Sequence, residues 1–250
     1  MKKAIDRFSK QSDTYRKFRP VYPQELYDFL FSRCETFDHA WDCGTGNGQV
    51  AAELAKKFKK VTATDISQKQ LNHAEPCPNI QFKVSRAENT DFGNSCFDLI
   101  TVGQAIHWFD IPAFFGEAER VLKPGGLLAF WGYGLLRVNA LIDQLIDHFY
   151  THAVGPLWDF ERKHVDSNYE SIAFPWQEID TPKDIGITTT WTIDEFEGYF
   201  NSWSAVQNYK EAHNGENPVD QLMNEVGKVW RSGTQMVSFP IFIKAGLKSS

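Results

Sequence analysis

The chain has 250 residues, of which 42% are hydrophobic and 14% aromatic, so it can bury a full core and is not typical of a disordered protein. Its formal net charge is −6 and it has no long Lys/Arg block, which argues against a nucleic-acid partner because phosphate contacts need a basic surface. The longest apolar run, 125–136, is too short to cross a bilayer, and residues 1–10 lack the apolar core of a signal peptide. The four cysteines have no C-x-x-C spacing, so we expect free thiols in a soluble, cytoplasmic protein with no membrane partner.

The first 37 residues are predicted to form a helical cap, with a helix over Gln24–Arg33 that begins behind Pro23. Residues 15–23, ahead of that helix, are dense in aromatic side chains, cations and prolines. Two interpretations stay open. The segment either covers the sheet with Arg19 in solvent, or it places Tyr15 and Arg19 over a ligand, with Arg19 paired to a carboxylate.

The segment Ala40–Val50, A-W-D-C-G-T-G-N-G-Q-V, predicts the end of a strand, a glycine turn and the start of a helix that continues over Ala51–Phe58. Gly44, Gly46 and Gly48 allow a sharp turn beside a ligand, and the N–H groups of the helix that follows favour negative charge. This combination is typical of a nucleotide-type binding loop. A dinucleotide fingerprint is met only in its loose form, G-x-G-x-x-A, so NAD binding stays open as an alternative.

Two further strands follow the glycine turn. Val61–Thr64 predicts a second strand that ends at Asp65, before a helix over Ser67–Ala74. An acid about twenty residues after a glycine turn can accept hydrogen bonds from both ribose hydroxyls, although it could instead cap the helix. Asn79–Val84 predicts the third strand, and Glu88 in the loop behind it could accept from an adenine amino group.

Phe97–Val102 predicts a fourth strand, which runs into the loop 103–109. Because open α/β sheets bind ligands at the carboxyl ends of their strands, this loop should line the site. His107 could act there as a general base, for which its intrinsic pKa is suited. Alternatively, His107 and Trp108 could only form the wall of the pocket.

The helix Pro112–Leu122 is predicted to end at a Lys-Pro-Gly-Gly stop, ahead of a fifth strand over Leu127–Trp131. Five strands that alternate with helices predict a doubly wound, mostly parallel sheet. Residues 135–184 break this alternation, and we interpret them as an insertion that forms a lid over the active site. Within it, a helix is predicted over Ala140–His152. Two histidines share a face of that helix, but without a third ligand no metal site is expected.

The last part, 185–250, is predicted to close the sheet. It contains a strand over Ile185–Trp191, helices over Asp194–Trp203 and Val219–Trp230, and a closing strand over Met236–Ala245. We therefore expect a single α/β domain with a doubly wound, mostly parallel, seven-stranded Rossmann-like sheet. Its expected parts are the cap 1–37, the ligand-binding core 38–134, the insertion 135–184 and the closing part 185–250.

The ordered motifs resemble the core of the class I S-adenosylmethionine (SAM) dependent methyltransferases, over roughly residues 38–134. The residues that carry the resemblance are Asp42-x-Gly44-x-Gly46-x-Gly48, Asp65 after strand two, Ala87-Glu88 after strand three, Phe97-Asp98 at strand four and Arg120–Gly126 before strand five. The segment Tyr15–Pro23 and the loop Gln104–Trp108 are similar to the small-molecule branch that includes trans-aconitate methyltransferase.

This resemblance implies SAM as the cofactor, S-adenosylhomocysteine (SAH) as the product and no metal. In the family's pattern the glycine loop holds the methionine part of SAM, Asp65 the ribose, Glu88 with Ala87 the adenine, and Gln104 the region near the methyl group. The full set of implied cofactor contacts is Tyr15, Arg19, Asp42, Gly44, Thr45, Gly46, Gly48, Asp65, Ile66, Ala87, Glu88 and Gln104.

For the acceptor, the candidate contacts are Trp108, Tyr133 and Arg137, with His107 as a general base if the acceptor is a hydroxyl; a carboxylate would need no base. A polycarboxylate would need several cations, for which the candidates are Arg19, Arg137, Arg162 and Lys163. An aromatic-rich insertion would equally suit an apolar acceptor. We expect a methyltransferase, monomeric or homodimeric, that acts on oxygen of a small molecule. The alternatives are a SAM-binding regulatory or scaffold protein without turnover and an NAD-dependent oxidoreductase.

Overall fold

The computed structural model describes residues 20–231 and 233–249, so the predicted contacts Tyr15 and Arg19 lie outside the described residues. The strands are β1 (His39–Cys43), β2 (Lys60–Asp65), β3 (Ile80–Val84), β4 (Phe97–Gly103), β5 (Leu122–Tyr133), β6 (Gly186–Trp191) and β7 (Gln235–Leu247). The helices are α1 (Gln24–Ser32), α2 (Gln49–Leu54), α3 (Gln68–Leu71), α4 (Ile111–Val121), α5 (Ala140–His148), α6 (Arg162–Asp166), α7 (Ile193–Asn201), α8 (Ser204–Ala212) and α9 (Pro218–Val229).

The strands form a seven-stranded sheet in the order β3-β2-β1-β4-β5-β7-β6. Strands β1 to β5 pair in parallel, and β7 runs antiparallel between β5 and β6. This confirms the predicted fold, a doubly wound and mostly parallel sheet. The strand order reverses between β1 and β4, which is the point where such sheets open a crevice for ligands. The loops behind Cys43, Asp65, Gly103 and Tyr133 therefore meet at one edge of the sheet.

Both faces of the central strands are covered by other elements. Because consecutive strand residues point to opposite sides, neighbouring residues pack into two different clusters. In β4, Leu99 belongs to the apolar cluster that also contains residues of α1, α7 and α9, whereas Ile100 belongs to the cluster with residues of α4. In β5, Trp131 and Phe130 divide in the same way, and neither has exposed surface. Burying a Phe-sized side chain contributes about 1.5–3 kcal/mol, so packing on both faces fixes the strand ends that carry the site.

The main differences from the predicted elements are the start of one strand, the end of one helix and one helix that was not predicted. Strand β5 begins at Leu122, not Leu127, because Leu122 pairs with Phe97 and draws the Lys-Pro-Gly-Gly stretch into extended backbone. The helix predicted over Ala140–His152 ends at His148 and continues as a π-helical turn, in which the N–H of Val154 donates to the carbonyl of Phe149 at 3.1 Å. Helix α8 was not predicted.

The insertion 135–184 has two structural roles. Its helix α5 buries Ile142 and Ile146 in the main core, so this part is not a free lid. The later residues 158–169 reach the carboxyl edge of the sheet, where the site described below lies. The division of the chain at residues 37, 134 and 184 stays a prediction. No helix in the ranges 20–231 and 233–249 has the length and apolarity to span a membrane.

Candidate functional site

The glycine loop turns sharply at the end of β1. Gly44 has a φ of +71°, and a Cβ there would stand 2.7 Å from the Cβ of Ala105, so only glycine fits. Gly46 also has a positive φ, +59°, but a Cβ there would meet nothing within 4 Å, so its backbone faces open space. Gly48 precedes α2 and packs against the ring of Phe82, away from that space. The loop therefore presents Gly46 to a ligand and uses its other glycines for close packing.

Asp42 holds this loop in place through hydrogen bonds. It is 1% exposed, and its two carboxylate oxygens accept hydrogen bonds from the hydroxyls of Thr45, in the loop, and Thr101, on β4 at 2.9 Å. Burial raises the pKa of the Asp42 carboxyl from 3.8 to about 6, and the two hydroxyl bonds oppose that rise. Asp42 thus joins β1, β4 and the glycine loop, which is a positioning role; Thr45, 8% exposed, shares it.

Asp65 ends β2 beside the glycine loop. One of its carboxylate oxygens accepts from the N–H of Gly46 at 2.9 Å, and the other accepts from the N–H of Ser67 at 2.8 Å. The N-cap of α3 is Ser67, whose hydroxyl accepts from the N–H of Gln70, so Asp65 is not the cap. The neighbouring Ile66 is 37% exposed and gives an apolar surface next to this carboxylate. This pairing of an acid and an apolar side chain suits a nucleoside.

Glu88, the predicted adenine contact, is engaged within the protein. Its side chain is 7% exposed; one oxygen bonds Arg86 Nε at 3.1 Å and the other accepts from the N–H of Asp110 at 3.0 Å. Glu88 therefore ties the loop behind β3 to the start of α4, and a bond to adenine would add to these contacts. The preceding Ala87 is buried at 6% exposure.

Gln104 follows β4 in a conformation that L-residues rarely adopt, with a φ of +53°. Its backbone N–H donates to the carbonyl of Trp131, and its side-chain oxygen accepts from the N–H of Tyr133, both at 2.8 Å. These contacts fix the amide orientation, because the Tyr133 N–H requires an acceptor. Within the described part of the chain, the side-chain NH₂ of Gln104 donates to no other residue.

Two adjoining pockets meet at Gln104 and Tyr133. The first, which we call the loop pocket, lies along the glycine loop and is lined by Pro20, Tyr22, Asp42, Gly44, Thr45, Gly46, Asn47, Gln49, Val50, Gly103, Gln104 and Tyr133. The second, which we call the aromatic pocket, is lined by Gln104, His107, Trp108, Tyr133, Trp158, Asp159, Arg162, Tyr199, Ser202, Trp203 and Ser204. Because the two pockets share Gln104 and Tyr133, ligands bound in them would be neighbours.

His107 lies in the short turn Ile106–Trp108 and is 6% exposed. Its Nδ1 is 3.0 Å from the hydroxyl of Tyr169, which has no exposed surface. Asn168 and Tyr169 both have positive φ, +49° and +62°, a costly backbone form that persists only when its surroundings impose it. When Nδ1 donates its proton to this hydroxyl, Nε2 is the ring nitrogen that can accept a proton.

The structure places half of the sequence-predicted site residues on the walls of the two pockets: Asp42, Gly44, Thr45, Gly46, Gln104, His107, Trp108 and Tyr133. Gly48, Asp65, Ile66, Ala87 and Glu88 lie in or next to the neighbouring loops but do not line either pocket. Arg137 lies away from both pockets: its backbone pairs with that of Ser238, and its guanidinium bonds Asp147 at 2.8 Å. The predicted acceptor contact at Arg137 is thus not supported by its position. Trp158, Tyr199 and Trp203 were not among the predicted contacts; the aromatic density of their segments was the available signal.

In the ranges 20–231 and 233–249, no group of three or more His, Cys, Asp or Glu side chains is placed to hold a metal ion.

Comparisons with known proteins agree on one family. Residues 41–130 match the methyltransferase domain family. Over 213 residues the chain is 38% identical to a Dictyostelium discoideum protein assigned as a methyltransferase, a match that covers 84% of this chain and 81% of the relative. A solved structure assigned as a type II methyltransferase from Anaeromyxobacter dehalogenans is 33% identical, with a TM-score of 0.85, over 93% of this chain and 100% of that chain.

A more distant structure shares the fold alone. Phosphoethanolamine N-methyltransferase 2 of Haemonchus contortus, solved with phosphomonomethylethanolamine and SAH, is 17% identical with a TM-score of 0.50. The match covers 100% of this chain and 61% of that chain.

Proposed function

The chain belongs to the class I SAM-dependent methyltransferases, and we propose that within this family it transfers a methyl group to an oxygen atom of a small molecule. The observation that carries this proposal is the pair of adjoining pockets that share Gln104 and Tyr133. One pocket follows the glycine loop, where the motif residues lie, and the other is a separate aromatic chamber. Two partners held on either side of Gln104 would be in reach of each other.

The loop pocket fits SAM by its donors and acceptors. Asp65 does not line the loop pocket itself but bonds Gly46, which does, and a carboxylate oxygen can accept more than one hydrogen bond, so ribose hydroxyls could bond it from the pocket. The Gln104 NH₂ group offers a contact for the amino-acid part, and Gly46 leaves room for it because a Cβ there would meet nothing within 4 Å. When bound, SAM supplies an electrophilic methyl group on a cationic sulfur. The ring of Tyr133, which lines both pockets, suits a neighbouring cation.

His107 is our candidate base for a hydroxyl acceptor. It lines the aromatic pocket, and its bond to the buried Tyr169 fixes the ring in place. Proton removal by a positioned histidine contributes about 10²–10⁴-fold to a rate. A carboxylate acceptor would not need this step, so the dependence on His107 separates the two oxygen chemistries.

The proposal is tested by turnover. The purified protein is incubated with SAM and with separate pools of hydroxyl, carboxylate and amine compounds, and SAH and methylated products are measured by mass spectrometry. We expect products from an oxygen pool. Products from the amine pool alone would contradict the oxygen assignment, and SAM binding without turnover in any pool would favour the regulatory alternative.

The remaining expectations about partners stay predictions. The net charge of −6 supports a small-molecule rather than a nucleic-acid partner. A cytoplasmic location and a monomeric or homodimeric state are part of the same proposal, and size-exclusion chromatography with light scattering would measure the second.

A further inference from the structure

Arg162 is anchored at one side of its guanidinium group. Its Nε donates to the hydroxyl of Tyr150 at 2.9 Å and to the carboxylate of Asp166 at 3.2 Å, and the Tyr150 hydroxyl itself donates to Asp166. The guanidinium carbon lies over the rings of Trp158 and Tyr150, 4.6 and 5.3 Å from their centroids. A group held in this way loses little further freedom when a ligand binds.

The other side of the guanidinium keeps its hydrogen-bonding capacity. A guanidinium has five N–H donors, and within residues 20–231 and 233–249 only the Nε donor of Arg162 has a partner. The side chain is nevertheless only 20% exposed and lines the aromatic pocket. The paired terminal nitrogens form the planar fork that binds two oxygens of one carboxylate. Arg137 is the contrasting case, because it is 42% exposed and bonds Asp147 through Nη1.

The described cations of the aromatic pocket can pair with one negative charge at most. Apart from His107, Arg162 is the one basic residue among the described residues that line this pocket; Asp166 balances part of its charge, and a second acid, Asp159, lines the same pocket and would repel any further carboxylate of a ligand. A tricarboxylate would leave two carboxylates without a described cation. Flat rings form much of the remaining wall, and those of Trp158 and Trp203 lie 5.2 Å apart; the polar side chains on the wall are Gln104, Asp159, Ser202 and Ser204. A planar ring with one acidic group and a further polar substituent matches this surface.

We propose that the acceptor is an aromatic hydroxy acid, whose carboxylate binds Arg162 and whose hydroxyl receives the methyl group. This inference rests on the proposed function. A carboxylate that is engaged by a guanidinium fork is a weakened nucleophile, whereas a hydroxyl beside His107 gains a base. In the transfer, the hydroxyl oxygen bonds the methyl carbon, the carbon–sulfur bond breaks with its electron pair on sulfur, and the hydroxyl proton passes to the His107 ring.

The test uses acids paired with their own methyl esters. Para-hydroxybenzoate and para-coumarate, their methyl esters and the tricarboxylate trans-aconitate are offered to the protein with SAM, and binding of each to the SAH-loaded protein is measured by calorimetry. Each acid should bind about tenfold to a hundredfold more tightly than its ester, the value of a charge-assisted pair. The product should be a methyl ether, which survives mild base, rather than a methyl ester, which does not.

Arg162→Gln and Arg137→Gln form a matched pair of variants. We expect Arg162→Gln to abolish the preference for acid over ester without changing the affinity for SAM, and Arg137→Gln to retain both. Equal binding of acid and ester by the unaltered protein, an ester product, preference for trans-aconitate, or no binding of either acid would overturn the inference. A folded protein that fails to bind SAM would instead remove the proposed function itself, so the two failures are distinguishable.

Discussion

The buried carboxyl of Asp42 makes a prediction about stability and pH. Asp42→Asn replaces the carboxylate with an amide of the same shape at the end of β1. The neighbouring Thr45 and Thr101 hydroxyls can each rotate to donate or accept, so the amide can keep both hydrogen bonds. The substitution therefore removes the titration of this group and leaves its packing nearly unchanged.

The size of the effect follows from the pKa of Asp42, which burial raises from 3.8 to about 6. Between these values the folded state binds more protons than the unfolded state, so the free energy of unfolding falls as the pH rises through this window. At about 1.4 kcal/mol per pKa unit, the loss amounts to at most about 3 kcal/mol and is complete above about pH 6. The Asn variant lacks this loss. Its stability relative to the unaltered protein should therefore rise by up to about 3 kcal/mol between about pH 4 and pH 7.

The assay is urea unfolding of both proteins at several pH values across this window. Asp98→Asn is the control, because Asp98 is also buried on the sheet but has the opposite shift. Burial alone would raise the pKa of Asp98, yet hydrogen bonds from Lys123, Thr36 and the N–H of His39 hold it below 3.8. Its replacement should destabilise by an amount that is constant above about pH 5. A difference between Asp42→Asn and the unaltered protein that does not change with pH would refute the reasoning.

Three further substitutions test the site. In Asp65→Asn, one carboxylate oxygen is replaced by an NH₂ group, so the side chain can no longer accept from both Gly46 and Ser67. The Kd for SAM, measured by calorimetry, should rise about tenfold or more. An unchanged Kd would make Asp65 a purely structural residue. His107→Ala should slow methyl transfer to a hydroxyl about a hundredfold or more in a steady-state assay; an unimpaired rate would make His107 a wall of the pocket. Gly44→Ala places a Cβ 2.7 Å from that of Ala105 at a φ of +71°, and should lower the free energy of unfolding by roughly 1–3 kcal/mol. Equal stability of the two proteins in urea would show that the alanine is not strained there.

The local part of the site could be predicted from the sequence because its signals are short-range. The glycine turn, the acid at Asp65 and the loop at Gln104 each follow a strand whose apolar residues mark its end, and parallel strands bring their carboxyl ends to one edge. The order of the strands therefore predicted which loops would meet. It did not predict that Asp42 and Glu88 would be buried and bonded within the protein, because burial depends on the packing of distant elements.

The acceptor side could not be predicted in the same way. Arg162, Trp158 and Trp203 lie far from the motifs in the chain and reach the aromatic pocket only through the packing of the insertion against α8 and the segment before it. Arg137 and Arg162 were equivalent as candidate cations in the sequence. The structure separates them, because pairing with Ser238 on β7 holds Arg137 outside the pocket.

The most direct test of the account is calorimetric titration of the purified protein with SAM and, separately, with SAH. Both should bind at one site with Kd values of about micromolar order, and Asp65→Asn should weaken the binding of both. Absence of binding by protein shown to be folded by circular dichroism would contradict the assignment of the loop pocket, and with it the proposed reaction.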